Sequence, residues 1–422
     1  MRLQAVKGTH DILPEQIPAW RNLRRAVENT LERAGVREIA TPVFEYSEVF
    51  TKSVGESADL VVQKEMYTFE DRGGRSLTLR PEFTAGVLRA YIEHGMHTRP
   101  TPVKLWSFGP VFRAENVQRG RFRQFHQVNC ELLGLTSPLI DAEAIALLFR
   151  TLEACGLTRM TVKLGTVGDP EHRAAYNAYL RDQLEPRASE LSETSRTRLA
   201  INPMRILDAK DERDQSLVRE LKRPLDFVDG AAREHFEELQ SHLRAWSIPF
   251  EIDPAIVRGL DYYRRTAFEI HHGSIGAQSA ICGGGRYDGL VESLGGPPTP
   301  GIGWAFGVER VLDALQQEGV KTSAPRTADL FLVPLDDQAV AEVARTAERL
   351  RDRFQVEHAY SKRNVGKGLR DADRSGATYA ALRGPDERSR GIYTVKQLAS
   401  GEQQDVPEEE LERLLLAEPA TR

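Results

Sequence analysis

The segment KLWSFGPVFRAENVQRGRFRQFHQVNCELLG, residues 104–134, is the most informative part of this chain about its architecture. Residues 104–112 and 124–133 are rich in aromatic and aliphatic side chains, and a polar loop that contains Arg119, Gly120 and Arg121 separates them. Two such runs around a glycine-containing loop are typical of a β-hairpin. The sequence therefore predicts two antiparallel strands joined by a long tip.

The second strand of this hairpin has two different faces, because side chains alternate along a strand. The largely apolar face consists of His126, Val128, Cys130 and Leu132, and the other face consists of Phe125, Gln127, Asn129 and Glu131. A solvent-exposed antiparallel sheet produces the same alternation. Val111, Arg113 and Glu115 alternate in the same sense, however, so a guanidinium and a second carboxylate are expected beside Gln127 and Glu131.

Two more segments place polar groups at strand ends. TLRPEFT, residues 78–84, carries Glu82 and Thr84 at the entrance to a predicted helix, and VRGLDYY, residues 257–263, groups an arginine, an aspartate and two tyrosines around one glycine. Taken singly, each is better explained as an ordinary ion pair or a half-buried tyrosine. Together, in one domain with many glycines, they favour a ligand site.

The fold class is predicted to be α+β, with two domains. Residues 1–322 predict an antiparallel sheet with flanking helices, interrupted at about 170–246 by a mostly helical insertion that is poor in glycine. A short polar linker that contains a proline follows at 319–327. Residues 328–422 alternate strand and helix, which predicts a small α/β domain.

Composition excludes several classes of protein. The 422 residues carry a net charge of −5, so a protein that binds its partner through bulk positive charge is excluded, although a local basic face is not. Three cysteines form neither a disulfide framework nor a CxxC metal site, and no apolar run approaches the length of a membrane span. We expect a soluble cytoplasmic protein without a membrane partner.

Several motifs resemble the class II aminoacyl-tRNA synthetases. TPVFEYSEVF (41–50) resembles the first class motif, residues 109–134 the second and GIGWAFGVERVL (301–312) the third. KGTHDILP (7–14), RGLDYYRRTAFE (258–269) and GGGRYDGL (283–290) are similar to segments of the histidyl-tRNA synthetase family. The resemblance spans nearly the whole chain and implies a histidine–tRNA ligase that forms histidyl-adenylate and pyrophosphate, then charges tRNA(His).

The resemblance implies a set of ATP-binding residues. Arg113 is implied at the α-phosphate, Arg310 at the γ-phosphate, and Arg258 as a second catalytic cation at the α-phosphate. Glu115, Arg121 and Phe125 are implied around the adenine and the phosphates. Arginine suits this role because its planar fork meets phosphate oxygens in pairs. Mg²⁺ is expected with ATP, but no carboxylate is singled out as its ligand.

The resemblance also implies a histidine pocket. The residues at its α-amino end are Glu82, Phe83, Thr84 and Gln127, and those that line or close the imidazole end are Glu131, Tyr262, Tyr263 and Tyr287. Glu131 can accept an N–H hydrogen bond from the ring, and a buried site built for such a bond rejects analogues that lack it by roughly 10⁴ or more. Gly283, Gly284 and Gly285 lack a P-loop pattern and indicate close approach to a ligand or to Tyr287.

The remaining partners follow from the resemblance and from charge. Gln118 is implied near the acceptor end of the tRNA, and residues 328–422 are implied to be the anticodon-binding domain. That domain offers a basic set for a tRNA, namely Lys362, Arg363, Lys367, Arg370 and Arg374, which an ordinary solvated helix would also show. The family and its first motif imply a homodimer. His271 and His272 lack a third ligand at a useful spacing, so zinc is not expected.

Three alternatives stay open at this point. A catalytically silent relative serves as regulatory subunit of the ATP phosphoribosyltransferase of histidine biosynthesis, but it lacks the anticodon-binding domain. A synthetase for proline, threonine or glycine would share a similar second domain without the two histidine segments. A tRNA- or histidine-sensing module would bind histidine without forming adenylate.

Overall fold

The computed structural model describes residues 3–54, 65–116, 120–207, 209, 211–254, 256, 263–273, 280–320 and 328–417. These residues form two compact units, within Met1–Thr322 and within Ser323–Arg422. In the described ranges, no helix is both long and apolar enough to span a membrane.

The first unit contains a large sheet and a small one. Its strands are β1 (Arg37–Glu38), β2 (Phe44–Tyr46), β3 (Tyr67–Glu70), β4 (Ser76–Leu79), β5 (Val103–Phe112), β6 (Gln124–Leu133), β7 (Met160–Gly168), β8 (Phe250–Ile252), β9 (Arg264–His272), β10 (Ala280–Arg286) and β11 (Gly301–Gly307). The large sheet has the strand order β1-β5-β6-β11-β10-β9-β7-β8, and the small sheet has the order β2-β4-β3.

Helices connect and cover these strands. They are α1 (Ile17–Arg33), α2 (Ser47–Val54), α3 (Thr84–Glu93), α4 (Pro138–Ala154), α5 (Pro170–Leu184), α6 (Glu193–Ile201), α7 (Glu212–Arg219), α8 (Gly230–Ala245), α9 (Leu290–Ser293) and α10 (Val308–Gln317). Short 3₁₀ turns lie at Met96–Thr98, Ala188–Glu190, Pro203–Ile206 and Pro224–Phe227.

The predicted hairpin is confirmed. Strands β5 and β6 pair antiparallel from Val103 opposite Leu133 to Phe112 opposite Gln124. Five of the seven neighbour pairs in the large sheet are antiparallel, and only the two edge strands β1 and β8 pair parallel. Residues 37–46 form two short strands, β1 and β2, which belong to different sheets. Pro42 lies between them, and it has no N–H to donate to a sheet.

One face of the large sheet carries the main hydrophobic core. Four helices pack there, through Leu23, Val27 and Leu31 of α1, Leu148 of α4, Phe236 and Leu239 of α8, and Val308 and Val311 of α10. The apolar face of β6 packs against them, as its alternation predicted. Removal of these side chains from water stabilises the unit by roughly 2 kcal/mol per large residue. The opposite, polar face of β6 does not take part in this core.

The helices from residue 170 onward belong to two different packing groups. α5, α6 and α7 enclose a separate hydrophobic cluster that includes Tyr176, Leu180 and Leu199. Tyr263, from outside these helices, joins this cluster. α8 instead packs into the main core through Phe236. The segment 170–246 was expected as one insertion. Its helices before about residue 228 form their own cluster, whereas the helix after that residue belongs to the main core.

The second unit is a five-stranded mixed sheet with helices. Its strands are β12 (Ala328–Pro334), β13 (Val356–His358), β14 (Ala377–Arg383), β15 (Ile392–Gln397) and β16 (Gln403–Pro407), in the order β13-β12-β14-β15-β16. Its helices are α11 (Asp337–Arg351), α12 (Val365–Arg374), α13 (Pro385–Ser389) and α14 (Leu411–Ala417), with a 3₁₀ turn at Glu408–Glu410. β12 pairs parallel with β13 and β14, and the other pairs are antiparallel. The α/β prediction for this part of the chain is confirmed.

Glu318, which follows α10, connects the end of that helix to the sheet through hydrogen bonds. Its carboxylate accepts hydrogen bonds from the hydroxyl of Thr158 (2.6 Å), the backbone N–H of Arg159 (2.9 Å) and Nε2 of His272 (2.7 Å). Burial disfavours the charge, but these bonds outweigh it and lower the pKa of Glu318 to about 2. The ionised carboxylate therefore stabilises the folded chain.

We expect Glu318→Gln to lower the free energy of unfolding by about 2 to 3 kcal/mol at pH 7. Because the folded pKa lies below the ordinary value, this stabilisation is complete above about pH 4.5 and disappears as the pH falls toward 2. Thermal unfolding of both proteins at pH 7, 4 and 3 measures the difference, with the exposed Glu32→Gln as control. A gap between wild type and variant that stayed constant down to pH 3 would contradict this explanation.

Candidate active site

The polar face of β6 forms the centre of the site. Glu131 is fully buried, and Gln127 and Asn129 are buried beside it on the same face. Glu131 Oε1 accepts hydrogen bonds from Thr84 Oγ1 (2.6 Å) and Asn129 Nδ2 (2.8 Å), and its Oε2 accepts one from the Tyr287 hydroxyl. Three separate segments therefore meet at one carboxyl group.

The environment of Glu131 changes its ionisation. Burial raises the pKa of Glu131 to about 7, although hydrogen bonds from Thr84, Tyr287 and Asn129 act in the opposite direction. Since ionisation of a fully buried carboxyl is costly, its hydrogen bonds decide how well the charge is tolerated. Near neutral pH this group can accept a further N–H hydrogen bond from a ligand.

Glycines in the neighbouring strands make room for these side chains. Gly303 lies opposite Glu131 in the β6–β11 pair, and a Cβ there would overlap Oε2 of Glu131. A Cβ on Gly301 would overlap the Tyr287 ring, and one on Gly285 would lie 2.7 Å from the Tyr263 ring. The close approach predicted at 283–285 is thus made by Tyr263 at Gly285 and by the carbonyl oxygen of Gly303 at Gly284, whereas Tyr287 packs over Gly301.

The sequence motifs imply a histidine–tRNA ligase, and for that implied activity we expect Gly303→Ala to weaken histidine activation by about a hundredfold. The added methyl group would lie 2.6 Å from Cδ of Glu131 and 2.7 Å from the carbonyl oxygen of Cys130, so the carboxyl group must move from its hydrogen-bond partners. kcat/KM for histidine in ATP–pyrophosphate exchange measures the loss. Gly307→Ala in the same strand is the matched control, because its nearest neighbour would be Arg310 Cβ at 4.0 Å. Equal activity of the two variants would contradict the crowding argument.

A second carboxylate lies at the start of α3. Glu82 accepts the backbone N–H groups of Thr84 and Ala85, the latter at 2.9 Å. Burial raises the pKa of Glu82, and these bonds and the charge of Arg113 oppose the rise. Phe83 is different, because its ring is buried in the core with the Arg80 guanidinium 4.1 Å from its centroid. Phe83 therefore packs in the core beneath the site and does not line it.

Gln127 has an unused hydrogen-bond acceptor. Its Oε1 and the Oδ1 of Asn129 are buried and have no hydrogen-bond partner among the described residues. A buried amide oxygen without a partner costs free energy unless a ligand donates to it. An ammonium group is a suitable donor, since the two carboxylates Glu82 and Glu131 lie on neighbouring elements.

Arg113 and Phe125 lie together near the tip of the β5–β6 hairpin. Arg113 Nε donates to the carbonyl oxygen of Pro81 (3.0 Å), and its guanidinium lies 5.3 Å from the centroid of the Phe125 ring. The ring and the backbone carbonyl restrict the orientation of the guanidinium. A cation fixed in this way is suited to a phosphate.

Arg310, at the start of α10, belongs to a second charged group. Its Nη1 donates to the carbonyl oxygen of Ala280 (2.6 Å). Burial lowers the pKa of Arg310 and the charge of Arg121 lowers it further, whereas the carboxylates Glu115 and Glu269 oppose both effects. Arg121 and Glu115 also form an ion pair at 3.1 Å. Two arginines and two carboxylates therefore share one region of the site.

Three of the predicted site residues, Gln118, Arg258 and Tyr262, lie outside the described residues. Tyr263 is described, and its carbonyl oxygen accepts a hydrogen bond from Arg173 of α5 at 3.1 Å. Sequence reasoning placed Asn129 on the polar face without giving it a role, and it missed Glu269. Asn129 lies between Gln127 and Glu131 on the same strand face, so the alternation alone could have identified it.

Comparison with known proteins gives a consistent result. Residues 8–311 match the family model described as Histidyl-tRNA synthetase, and residues 329–418 match the one described as Anticodon binding domain. The chain is 54% identical over 418 residues to the Histidine--tRNA ligase of Thermus thermophilus, covering 99% of each chain. It is 48% identical over 429 residues to that of Deinococcus radiodurans, covering 98% of this chain and 100% of the relative. The apo S. aureus histidyl-tRNA synthetase crystal structure matches with a TM-score of 0.83 and 33% identity, covering 98% of this chain and 100% of that one.

Proposed function

The chain belongs to the histidyl-tRNA synthetase family, and on that basis we propose which of its residues bind histidine, ATP and tRNA. Its activity is that of a histidine–tRNA ligase: it activates L-histidine with ATP and transfers the histidine to tRNA(His). The regulatory-subunit alternative is disfavoured, because the chain matches ligases over its full length and has the anticodon-binding domain.

Histidine binds, in this proposal, between Gln127 and Glu131. The observation that carries the assignment is the fully buried Glu131, held by Thr84, Asn129 and Tyr287. Glu131 accepts an imidazole N–H, and Tyr263, Tyr262 and Tyr287 line the ring. The unpartnered Oε1 of Gln127, with Glu82 and Thr84, receives the α-ammonium group.

ATP binds next to this pocket. Activation forms a bond between a histidine carboxylate oxygen and the α-phosphorus, and the bond to the pyrophosphate oxygen breaks with its electron pair. Arg113 and Arg258 hold the α-phosphate, where negative charge increases in the transition state. Arg310 holds the γ-phosphate, and Phe125 stacks on the adenine with Glu115 and Arg121 nearby.

Magnesium is expected to accompany ATP. Mg²⁺ takes oxygen ligands and usually binds through one or two carboxylates together with substrate phosphates. Glu115 and Glu269 fit, since both carboxylates act on Arg310, the residue assigned to the γ-phosphate. When bound, Mg²⁺ neutralises charge on the phosphate oxygens. For zinc, the one group of potential ligands in the described ranges is Asp169, Glu171 and His172, and Asp169 there binds Arg265 at 2.9 Å.

The second unit supplies basic side chains for the anticodon arm of the tRNA. Lys367, Arg370 and Arg374 lie on α12, whose buried residues are Gly368 and Ala372. Lys362 and Arg363 instead pair with Asp337 (2.7 Å) and Asp371 (2.8 Å). Tyr360, 82% exposed, offers a ring on which a base can stack. Gln118 is assigned to the acceptor end.

A homodimer is proposed for the region of the first class motif. Phe44, Tyr46 and Phe69 are 51%, 47% and 45% exposed on the small sheet, and Val43 lies beside them. Exposed aromatic groups of this kind often mark a protein interface.

Like the tRNA it charges, the protein is assigned to the cytoplasm.

ATP–pyrophosphate exchange with ring-methylated histidines tests the pocket. We expect exchange with histidine, none with other amino acids, and a loss of about 10⁴-fold for the isomer methylated at the nitrogen that faces Glu131. The other N-methyl isomer serves as the size-matched comparison. Activation of both isomers as efficiently as histidine would overturn the assignment of Glu131, and exchange with a different amino acid would overturn the pocket.

A further inference from the structure

A buried ionic network lies behind the histidine pocket. Asp141, in the first turn of α4, and Arg286, the last residue of β10, are both fully buried, and Arg286 Nη2 donates to Asp141 Oδ1. Arg286 Nε lies 3.2 Å from Asp141 Oδ2. The same Oδ2 also accepts the Thr266 hydroxyl (2.5 Å) and meets His235 Nε2 of α8 (2.8 Å).

The network ends next to Tyr287. Arg286 precedes Tyr287 in the chain, and its Nη1 donates to Asp288 Oδ1 (2.9 Å) on the other side of that tyrosine. Asp288 Oδ1 also accepts the backbone N–H of Gly301 (3.1 Å), and Tyr287 N donates to the carbonyl oxygen of Gly301 (2.8 Å). The backbone on both sides of Tyr287 is therefore held to β11.

These contacts restrict where the Tyr287 hydroxyl can lie. Its ring packs over Gly301, and its hydroxyl donates to Glu131 Oε2. Burial of Asp141 opposes its ionisation, yet His235 and Arg286 hold the pKa of that carboxyl below its ordinary value. An ionised Asp141 thus fixes the guanidinium of Arg286, the residue directly before Tyr287.

We propose that Asp141 is a positioning residue for histidine recognition, which acts through Arg286 to place Tyr287 against Glu131. A buried ion pair contributes little net stability compared with apolar packing. Here its two hydrogen bonds fix the orientation of the Arg286 guanidinium. The proposal rests on the assignment of histidine to the Glu131 pocket. It predicts an effect on histidine binding that exceeds any effect on ATP binding.

The test is a double-mutant cycle on the full chain, with dissociation constants for histidine and for ATP measured by calorimetry. We expect Asp141→Asn and Tyr287→Phe each to weaken histidine binding about tenfold, and the double variant to be weakened little beyond either one. ATP binding should stay within about twofold in all three. Independent effects, which multiply to about a hundredfold, or equal losses for histidine and ATP, would overturn the proposal.

Further variants keep the test informative if Asp141→Asn does not fold, and they distinguish failure of this proposal from failure of the pocket assignment. If Asp141→Asn does not fold, Asp288→Asn removes the less buried carboxylate of the same network and should weaken histidine binding severalfold. Glu318→Gln controls for stability, because it is expected to destabilise the unit without changing histidine binding. If Glu131→Gln leaves histidine binding unchanged, the pocket assignment and this proposal both fail. If Glu131→Gln weakens it but Asp141→Asn and Asp288→Asn do not, the positioning role alone fails.

Discussion

Glu131→Gln is expected to reduce kcat/KM for histidine by about a hundredfold or more while leaving the dissociation constant of ATP within about twofold. The carboxyl group accepts three hydrogen bonds, from Thr84, Asn129 and Tyr287, and is assigned a fourth from the imidazole. A glutamine side chain presents an NH₂ group in place of one acceptor oxygen, so it meets a donor where a hydrogen bond existed. A lost charge-assisted bond of this kind costs about 2 to 3 kcal/mol.

The measurement is amino-acid-dependent ATP–pyrophosphate exchange together with separate titrations of histidine and ATP. Glu318→Gln is the matched control, since it makes the same chemical change at a hydrogen-bonded carboxylate that the pocket does not include. Equal losses of histidine and ATP binding in Glu131→Gln would mean that the residue supports the fold and does not select the substrate.

Arg113→Gln is expected to reduce kcat of adenylate formation by about 10³-fold, and Arg113→Lys by about 10²-fold. Loss of one positioned donor at a developing charge costs about 10² to 10³ in kcat. Lysine keeps the charge but lacks the planar fork, and it cannot keep both the bond to Pro81 O and the contact with the Phe125 ring. Single-turnover formation of histidyl-adenylate measures the chemical step directly.

The control for Arg113 is Arg25→Gln, which removes an exposed arginine of the same unit. We expect histidine binding to be retained in both Arg113 variants, because Arg113 is assigned to ATP. A change in the KM for histidine with an unaltered kcat would refute the assignment to the α-phosphate.

Periodicity alone predicted the elements on which the site is built. The alternation along residues 124–133 identified the buried polar face of β6 and the apolar face opposite it. Alternation is a local pattern, because a side chain's direction in a strand depends on its position in the element. The helix predicted to begin at Glu82 and Thr84 is also present, as Thr84–Glu93.

Local patterns did not predict which distant segments of the chain pack against one another. The sequence grouped the helix Gly230–Ala245 with the helices before it as one insertion, yet it packs into the main core through Phe236 and Leu239. Gly283, Gly284 and Gly285 indicated a close approach, but the partner expected there was a ligand or Tyr287. Tyr287 packs over Gly301, and Tyr263 packs over Gly285.

Local patterns and motifs in the sequence were enough to predict the strand faces, the helices, the division into two parts and the family. The resemblance grouped Glu131 with Tyr287, 156 residues away, but the hydrogen bond between them came only from the folded arrangement. The same holds for the meeting of Asp141 with Arg286, 145 residues away. These contacts depend on the register of β6, β11 and β10, and a shift of one residue would turn every side chain of a strand to the opposite face. Register is set by the packing of the whole sheet, which no single segment of the chain contains.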